Sequence, residues 1–187
     1  MQSISTTHPL QILTELENAC KQHHARRTTH SSETQLWSGL GFRIAEHKLC
    51  ISSRNIDEVL DSNFQNNLSS VPGAKTWLCG LISLRGQALP VIDLKQYLFN
   101  KKSLLTATSR LLVIDYSNMK IGLIVDETCG LKRFDSNNNQ DIDKMKTLPN
   151  EIQKYTTKVF HANSQSWIEF SIEKLENDPN FLNAARF

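Results

Sequence analysis

The residues able to do chemistry are two adjacent acid pairs, a polar acid-rich loop, scattered thiols and an N-terminal histidine group. Asp57-Glu58 and Asp126-Glu127 each offer half of a general acid/base set. Adjacent residues of a strand point to opposite faces, so neither pair is expected to converge on one substrate. The run from Asp135 to Lys146 imitates a calcium loop, with Asp135, Asn137, Asn139 and Asp141 at ligand spacing. Its sixth position is Gln140 rather than Gly, and its twelfth is Lys146 where a bidentate Glu belongs, so a polar surface loop is the better reading. His23, His24 and His30 have no carboxylate or thiolate at useful spacing and make no closed ligand set. Cys20, Cys50, Cys79 and Cys129 have no metal-ligand spacing and read as small buried hydrophobes in a reducing compartment. No nucleophile elbow, phosphate loop or Cys/His constellation occurs. The residues favour a protein that is not an enzyme, and no cofactor or metal is expected.

The elements that position this chemistry are short strands. The 187 residues are 39% hydrophobic and 21% charged, with a net charge of +2, enough for a core and too little charge to argue for nucleic acid or an anionic membrane. No secretory pattern is visible, and no apolar run approaches the roughly 20 residues of a spanning helix. A cytoplasmic protein is expected, attached to a membrane only through a partner.

The organising stretch is Trp77 to Leu98. It reads as strand, turn at Arg85-Gly86, strand, and a helical cap begun by Asp93. Pro90 predicts an edge strand or a bulge there. Ahead of it lies a helix from Pro9 to about Arg27 and a polar linker, together residues 1–35. From residue 36, strand signals recur about every ten residues, which favours a sandwich or barrel. They fall into two groups that meet near Asn100. Gly122 sits inside a strand and predicts a bulge or a close backbone approach. Residues 173–178 read as a final helix and 179–187 as a tail that frays.

The stretch VPGAKTWLCGLISLRGQALPVIDLKQYL (Val71 to Leu98), with IDEVL (Ile56 to Leu60) and IGLIVDET (Ile121 to Thr128), resembles the signature of the CheW-like adaptor domains of bacterial chemosensory systems. The N-terminal extension, PLQILTELENACKQHHARR followed by WSGLGFRI, is similar to the PilI-type members, which serve systems controlling type IV pili and twitching. The resemblance implies an all-β fold of two small five-stranded β-barrels packed together, with an N-terminal helix and a short C-terminal helix. The CheW-like domain would span 36–178, the first barrel about 36–99 and the second about 105–172. It implies a non-catalytic adaptor located at membrane-associated receptor arrays. One surface would hold the cytoplasmic tip of a methyl-accepting receptor, another the regulatory domain of a CheA-like histidine kinase. Ile56, Gly80, Arg85, Gly86 and Gly122 fall at positions tied to the receptor groove or its support, and Glu58 matches the ion-pair partner of Arg85. One departure is Ser83, where the family has Asn; a hydroxyl offers one donor where an amide offers two. The competing reading is a small nucleic-acid-binding barrel. It needs exposed aromatic platforms and a basic groove. Trp37, Trp77 and Trp167 lie in or beside apolar runs and basic residues are dispersed, which favours core positions.

Overall fold

The computed structural model describes residues 36–116, 119–135, 139–141, 148–162 and 165–184. The expected N-terminal helix, Cys20 and the three leading histidines lie outside the described residues. So do Asn137 and Lys146.

The chain folds as two packed β-sheets. The first contains β1 (Leu36–Ile44), β2 (His47–Ser52), β8 (Glu127–Asp135), β9 (Asn139–Asp141), β10 (Thr156–Ala162) and β11 (Gln165–Phe170), in the order β8-β1-β2-β11-β10-β9. The second contains β3 (Ile56–Leu60), β4 (Leu78–Leu84), β5 (Gln87–Asp93), β6 (Arg110–Tyr116) and β7 (Met119–Val125), in the order β3-β6-β7-β5-β4. The all-β, two-sheet architecture is the expected one, with a sixth strand in the first sheet. That strand, β9, comes from the polar run read as a loop. It lacks apolar alternation and is held by backbone pairing to β10, Gln140 opposite Val159.

A division into barrels over 36–99 and 105–172 does not describe how the strands sort. The N-terminal hairpin β1–β2 joins the C-terminal strands through β8 and through a parallel contact of β2 with β11, Leu49 opposite Ile168. Alternation specifies which face a side chain takes, not which distant strand it lies beside.

Three apolar clusters follow from that sorting. Phe42, Ile44, Leu49 and Ile51 meet Ile92, Leu112, Ile114, Leu123 and Phe170 between the sheets. Each such side chain contributes about 1.5–3 kcal/mol when fully buried. Phe64, Ile82, Leu89, Val91, Leu111, Val113 and Ile124 fill the hollow of the second sheet. Cys50, Phe134, Phe160 and Trp167 fill that of the first, with Trp37 stacked on Phe160 at 4.8 Å.

Four short helices, α1 (Leu94–Phe99), α2 (Asn150–Gln153), α3 (Ile172–Glu176) and α4 (Pro179–Leu182), close the body. Asp93 caps α1 through the Gln96 amide at 3.0 Å, and its carboxylate also takes the amide and hydroxyl of Ser103. The tail expected to fray is docked as far as residue 184. Phe181 is buried and stacks on Trp77 at 5.4 Å, and the Lys75 amide donates to the Ala184 carbonyl at 2.8 Å. Asp178 fastens it. This buried carboxylate accepts from Lys154 Nζ at 2.6 Å, Tyr97 Oη at 2.7 Å, Tyr155 Oη and the Asn180 amide at 2.9 Å. Burial alone would raise its pKa, but the bonds from Lys154, Tyr155 and Tyr97 hold it well below the usual carboxylate range. Burial pushes the Tyr97 and Tyr155 hydroxyls up from theirs.

Candidate functional site

The hairpin β4–β5 is the scaffold. Leu84 pairs with Gln87, so the turn is Arg85-Gly86, with φ of 50° and 80°. Two successive left-handed residues match the right-handed twist of the strands. Gly accepts that backbone freely; an arginine there is strained by about 1–2 kcal/mol. Pro90 sits on neither an edge nor a bulge, since β5 lies between β4 and β7. Pro90 faces Leu81, whose own amide and carbonyl bond to Ser69 instead, so no rung to β4 is lost. Pairing with β7 begins one residue later, at Val91. The bulge is on the other strand, at Cys79, between the Leu78 and Gly80 pairings.

β3 and β4 are the two edges of the second sheet, and no ladder joins them among the described residues. The sheet coils until these edges face each other, leaving a seam. A 3-10 turn at Ser62–Asn67, capped by Asp61, covers one end with Phe64 turned into the hollow. Along the seam runs a groove of about 520 Å³ lined by Val59, Leu60, Phe64, Ile82, Ser83 and Leu84, with Asp61, Asn63 and Asn67 at the covered end. At the hairpin end it continues, through Leu84, into a pocket of about 250 Å³ with Asp57, Glu58, Arg85, Gln87 and Lys120 on its walls.

Two ion pairs guard this mouth. Arg85 Nη2 donates to Glu58 Oε2 at 2.8 Å, and Lys120 Nζ to Asp57 Oδ2 at 2.6 Å. The bond from Lys120 lowers the pKa of Asp57. Glu58 Oε1 is out of contact with solvent and has no hydrogen-bond partner among the described residues. The expectation that adjacent acids diverge is overturned twice. Asp57 is the extra residue of a bulge between the Ile56 and Glu58 pairings, which puts both acids on one pocket. Asp126 sits in the break between β7 and β8, so it and Glu127 both reach Arg43, at 3.5 and 2.7 Å. Each acid is matched by a base, and among the described residues no group of three or more His, Cys, Asp or Glu is placed to hold a metal.

Of the six residues singled out from sequence, Glu58 and Arg85 come together at the mouth, and Gly86 completes the turn beside Arg85. Ile56 opens β3 and packs against the core between the sheets. Gly80 is buried with φ of 152°, and a Cβ there would lie 2.3 Å from the Ser69 carbonyl oxygen. It therefore lets the 68–70 segment lie along β4. Gly122 is also buried, in the middle of the sheet. What approaches it is not backbone, as expected, but the Leu111 side chain, which a Cβ at Gly122 would meet at 2.9 Å. Sequence reasoning named Asp57 only as half of an acid pair and missed its pairing with Lys120, which depends on the β3 bulge and on β6 lying between their strands. It also missed the lining residues Val59 and Leu84.

The tryptophans are engaged. Trp37 and Trp77 are stacked as described, and Trp167 is buried with Lys132 Nζ 4.8 Å from its ring centroid. None of the three offers the open stacking platform that a single-stranded nucleic acid needs.

Residues 38–179 match the family model of the CheW-like domain. The chain is 30% identical to Protein PilI of Pseudomonas aeruginosa over 95% of this chain and 96% of that one. It is 42% identical to Chemotaxis protein CheW of Bacillus subtilis, over 30% of this chain and 36% of the other. The fold is shared with the crystal structure of scaffolding protein TtCheW from Thermoanaerobacter tengcongensis, with a TM-score of 0.62 and 23% identity, covering 72% of this chain and 88% of that one. The chain belongs to the CheW-like domain family.

Proposed function

We propose that this chain is a non-catalytic adaptor that holds the cytoplasmic tip of a methyl-accepting receptor on one surface and the regulatory domain of a CheA-like histidine kinase on another. Its similarity to PilI supports a role in a chemosensory system that controls type IV pili. The work is done in the cytoplasm, at receptor arrays; among the described residues no helix is long and apolar enough to cross a membrane. The seam groove is the receptor-facing surface, with Glu58, Arg85 and Gly86 at its mouth and Ile56, Gly80 and Gly122 supporting it from within. One observation carries this reading. A member of an adaptor family leaves a trough open between two strand edges, in which Val59, Leu60, Phe64, Ile82 and Leu84 alternate with polar Asp61, Asn63, Asn67 and Ser83, with charged pairs at one end. An amphipathic helix lays its apolar face into a groove of that kind.

The test is a steric plug. Ser83 is exposed and lines the groove on a strand that accepts an aromatic residue. Ser83→Trp is expected to weaken binding of a soluble receptor-tip fragment by about tenfold or more, a change of about 1.4 kcal/mol. Binding of the kinase regulatory domain should be retained. Equal affinity of the plugged and wild-type proteins for the tip would remove the groove from the mechanism.

A further inference from the structure

We infer that the segment seated in the seam groove carries a carboxylate that docks on Arg85 and Lys120. This rests on the receptor-docking reading above and adds the chemistry of the occupant. The four charges at the mouth, Asp57, Glu58, Arg85 and Lys120, sum to zero, so net charge says nothing about a partner. Their depth does. Arg85 is 70% exposed against 21% for Glu58, and Lys120 is 35% exposed against 27% for Asp57. Glu58 lies inside Arg85, while Asp57 and Lys120 are about equally open to solvent, so at the hairpin an approaching group meets the arginine first and finds Lys120 beside it.

The arginine is also incompletely used. Among the described residues its guanidinium is bonded through Nη2 to a single oxygen of Glu58. A guanidinium presents five donors in a planar fork, and the edge left open fits a second carboxylate. Glu58 thus holds the fork from behind and fixes its direction. The backbone supports this reading, since Arg85 occupies a left-handed turn position that Asn or Gly adopts more easily.

The groove has a direction. It begins at Glu58 and Arg85 and ends at Asp61, whose two oxygens are bonded to Asn63. The three steps along β3 span about 10 Å. That is about two turns of helix. The occupant is therefore an amphipathic helical segment with an acidic residue at one end of a two-turn apolar stripe.

The experiment is calorimetric titration with a soluble coiled-coil tip fragment of a methyl-accepting receptor from the same cell. The double variant Glu58→Arg, Arg85→Glu keeps an ion pair and turns the outer charge negative. It is expected to bind the tip about tenfold more weakly than wild type, and a tip whose acidic residue is changed to Lys should regain the loss. Lys120→Gln, which leaves the Glu58–Arg85 pair in place, should weaken binding about threefold and serves if the double variant fails to fold. Wild-type affinity should fall as salt rises from about 0.05 to 0.5 M. If the double variant binds as tightly as wild type, or if salt and Lys120→Gln change nothing, the carboxylate is not there. Should Ser83→Trp still block the tip in that case, the groove reading survives the loss; if it too binds normally, both fall.

Discussion

Of the carboxylates held by basic side chains, Asp178 and Glu58 are held in opposite ways. Asp178 is 1% exposed and accepts four hydrogen bonds, from an ammonium, two phenols and a backbone amide. Glu58 gives one oxygen to an exposed arginine and keeps the other buried without a partner among the described residues. The first arrangement is closed. Tyr97 follows β5 of the second sheet and Tyr155 precedes β10 of the first, so Asp178 ties the tail to both. The second arrangement is open, with donors facing outward and an acceptor unsatisfied. A satisfied polar network specifies one structure, whereas an unsatisfied one has capacity left for a partner. The same chemistry serves as a clasp at one place and, on the proposed reading, as a docking surface at the other.

The largest effect is expected at the clasp. Asp178→Ala removes the cap of α4 and strands two phenols beneath the tail, a loss of about 2–4 kcal/mol. Urea denaturation should show it, and thermal melting should fall by about 5–15 °C. Lys154 is half-exposed and turns to water, which keeps the loss below that of a stranded buried charge. The sign of the pH dependence follows from the directions of the shifts. Asp178 is held below its unfolded value, so its contribution is complete above about pH 4 and is lost as pH falls further. Tyr97 and Tyr155 are held above theirs, so their contribution is complete below about pH 10 and is lost above it. Asp178→Asn should flatten the acid limb of the stability curve; an unchanged acid limb would show that the clasp does not secure the tail.

A smaller contrast separates support from tip within the hairpin itself. Gly80→Ala drives a Cβ into the Ser69 carbonyl and breaks the bridge to Leu81, for an expected loss of about 2–4 kcal/mol. Gly86→Ala meets no atom within 4 Å, so only the left-handed backbone opposes it, at about 1 kcal/mol. Comparing the two urea midpoints checks the difference. Similar losses would mean that the turn, not the segment at Ser69, governs the shape of the groove.

The residues differ in how much of this they declare in sequence. The β4–β5 hairpin is legible because Leu81 to Leu84 and Ala88 to Ile92 are apolar runs on either side of a Gly-containing turn. The joining of Glu58 to Arg85 comes only from the family resemblance, since nothing local brings residues 27 positions apart together. The Asp57–Lys120 pair depends on one bulged residue, which side-chain pattern does not announce. The docked tail does carry a signal. Asp178-Pro179 is an N-cap followed by proline at the first helical position, but the residues after it are too few to show a period.

The smallest expected change in stability tests the comparison most directly. Arg85→Asn exchanges a residue strained in the left-handed turn for one that tolerates it, a gain of up to about 1 kcal/mol. It also removes an ion pair whose arginine is mostly in water, and such pairs contribute about 0–1 kcal/mol. The two terms oppose each other, so the folded state should change by less than about 1 kcal/mol in either direction. Affinity for the receptor tip should meanwhile fall by about tenfold, because the outward donors are gone while the groove keeps its shape. Arg85 is then a residue retained for what it presents rather than for what it holds together. A loss of more than about 3 kcal/mol in the same variant, at unchanged affinity per folded molecule, would make the pair a strut like Asp178. The distinction between a closed clasp and an open docking surface would not survive that result.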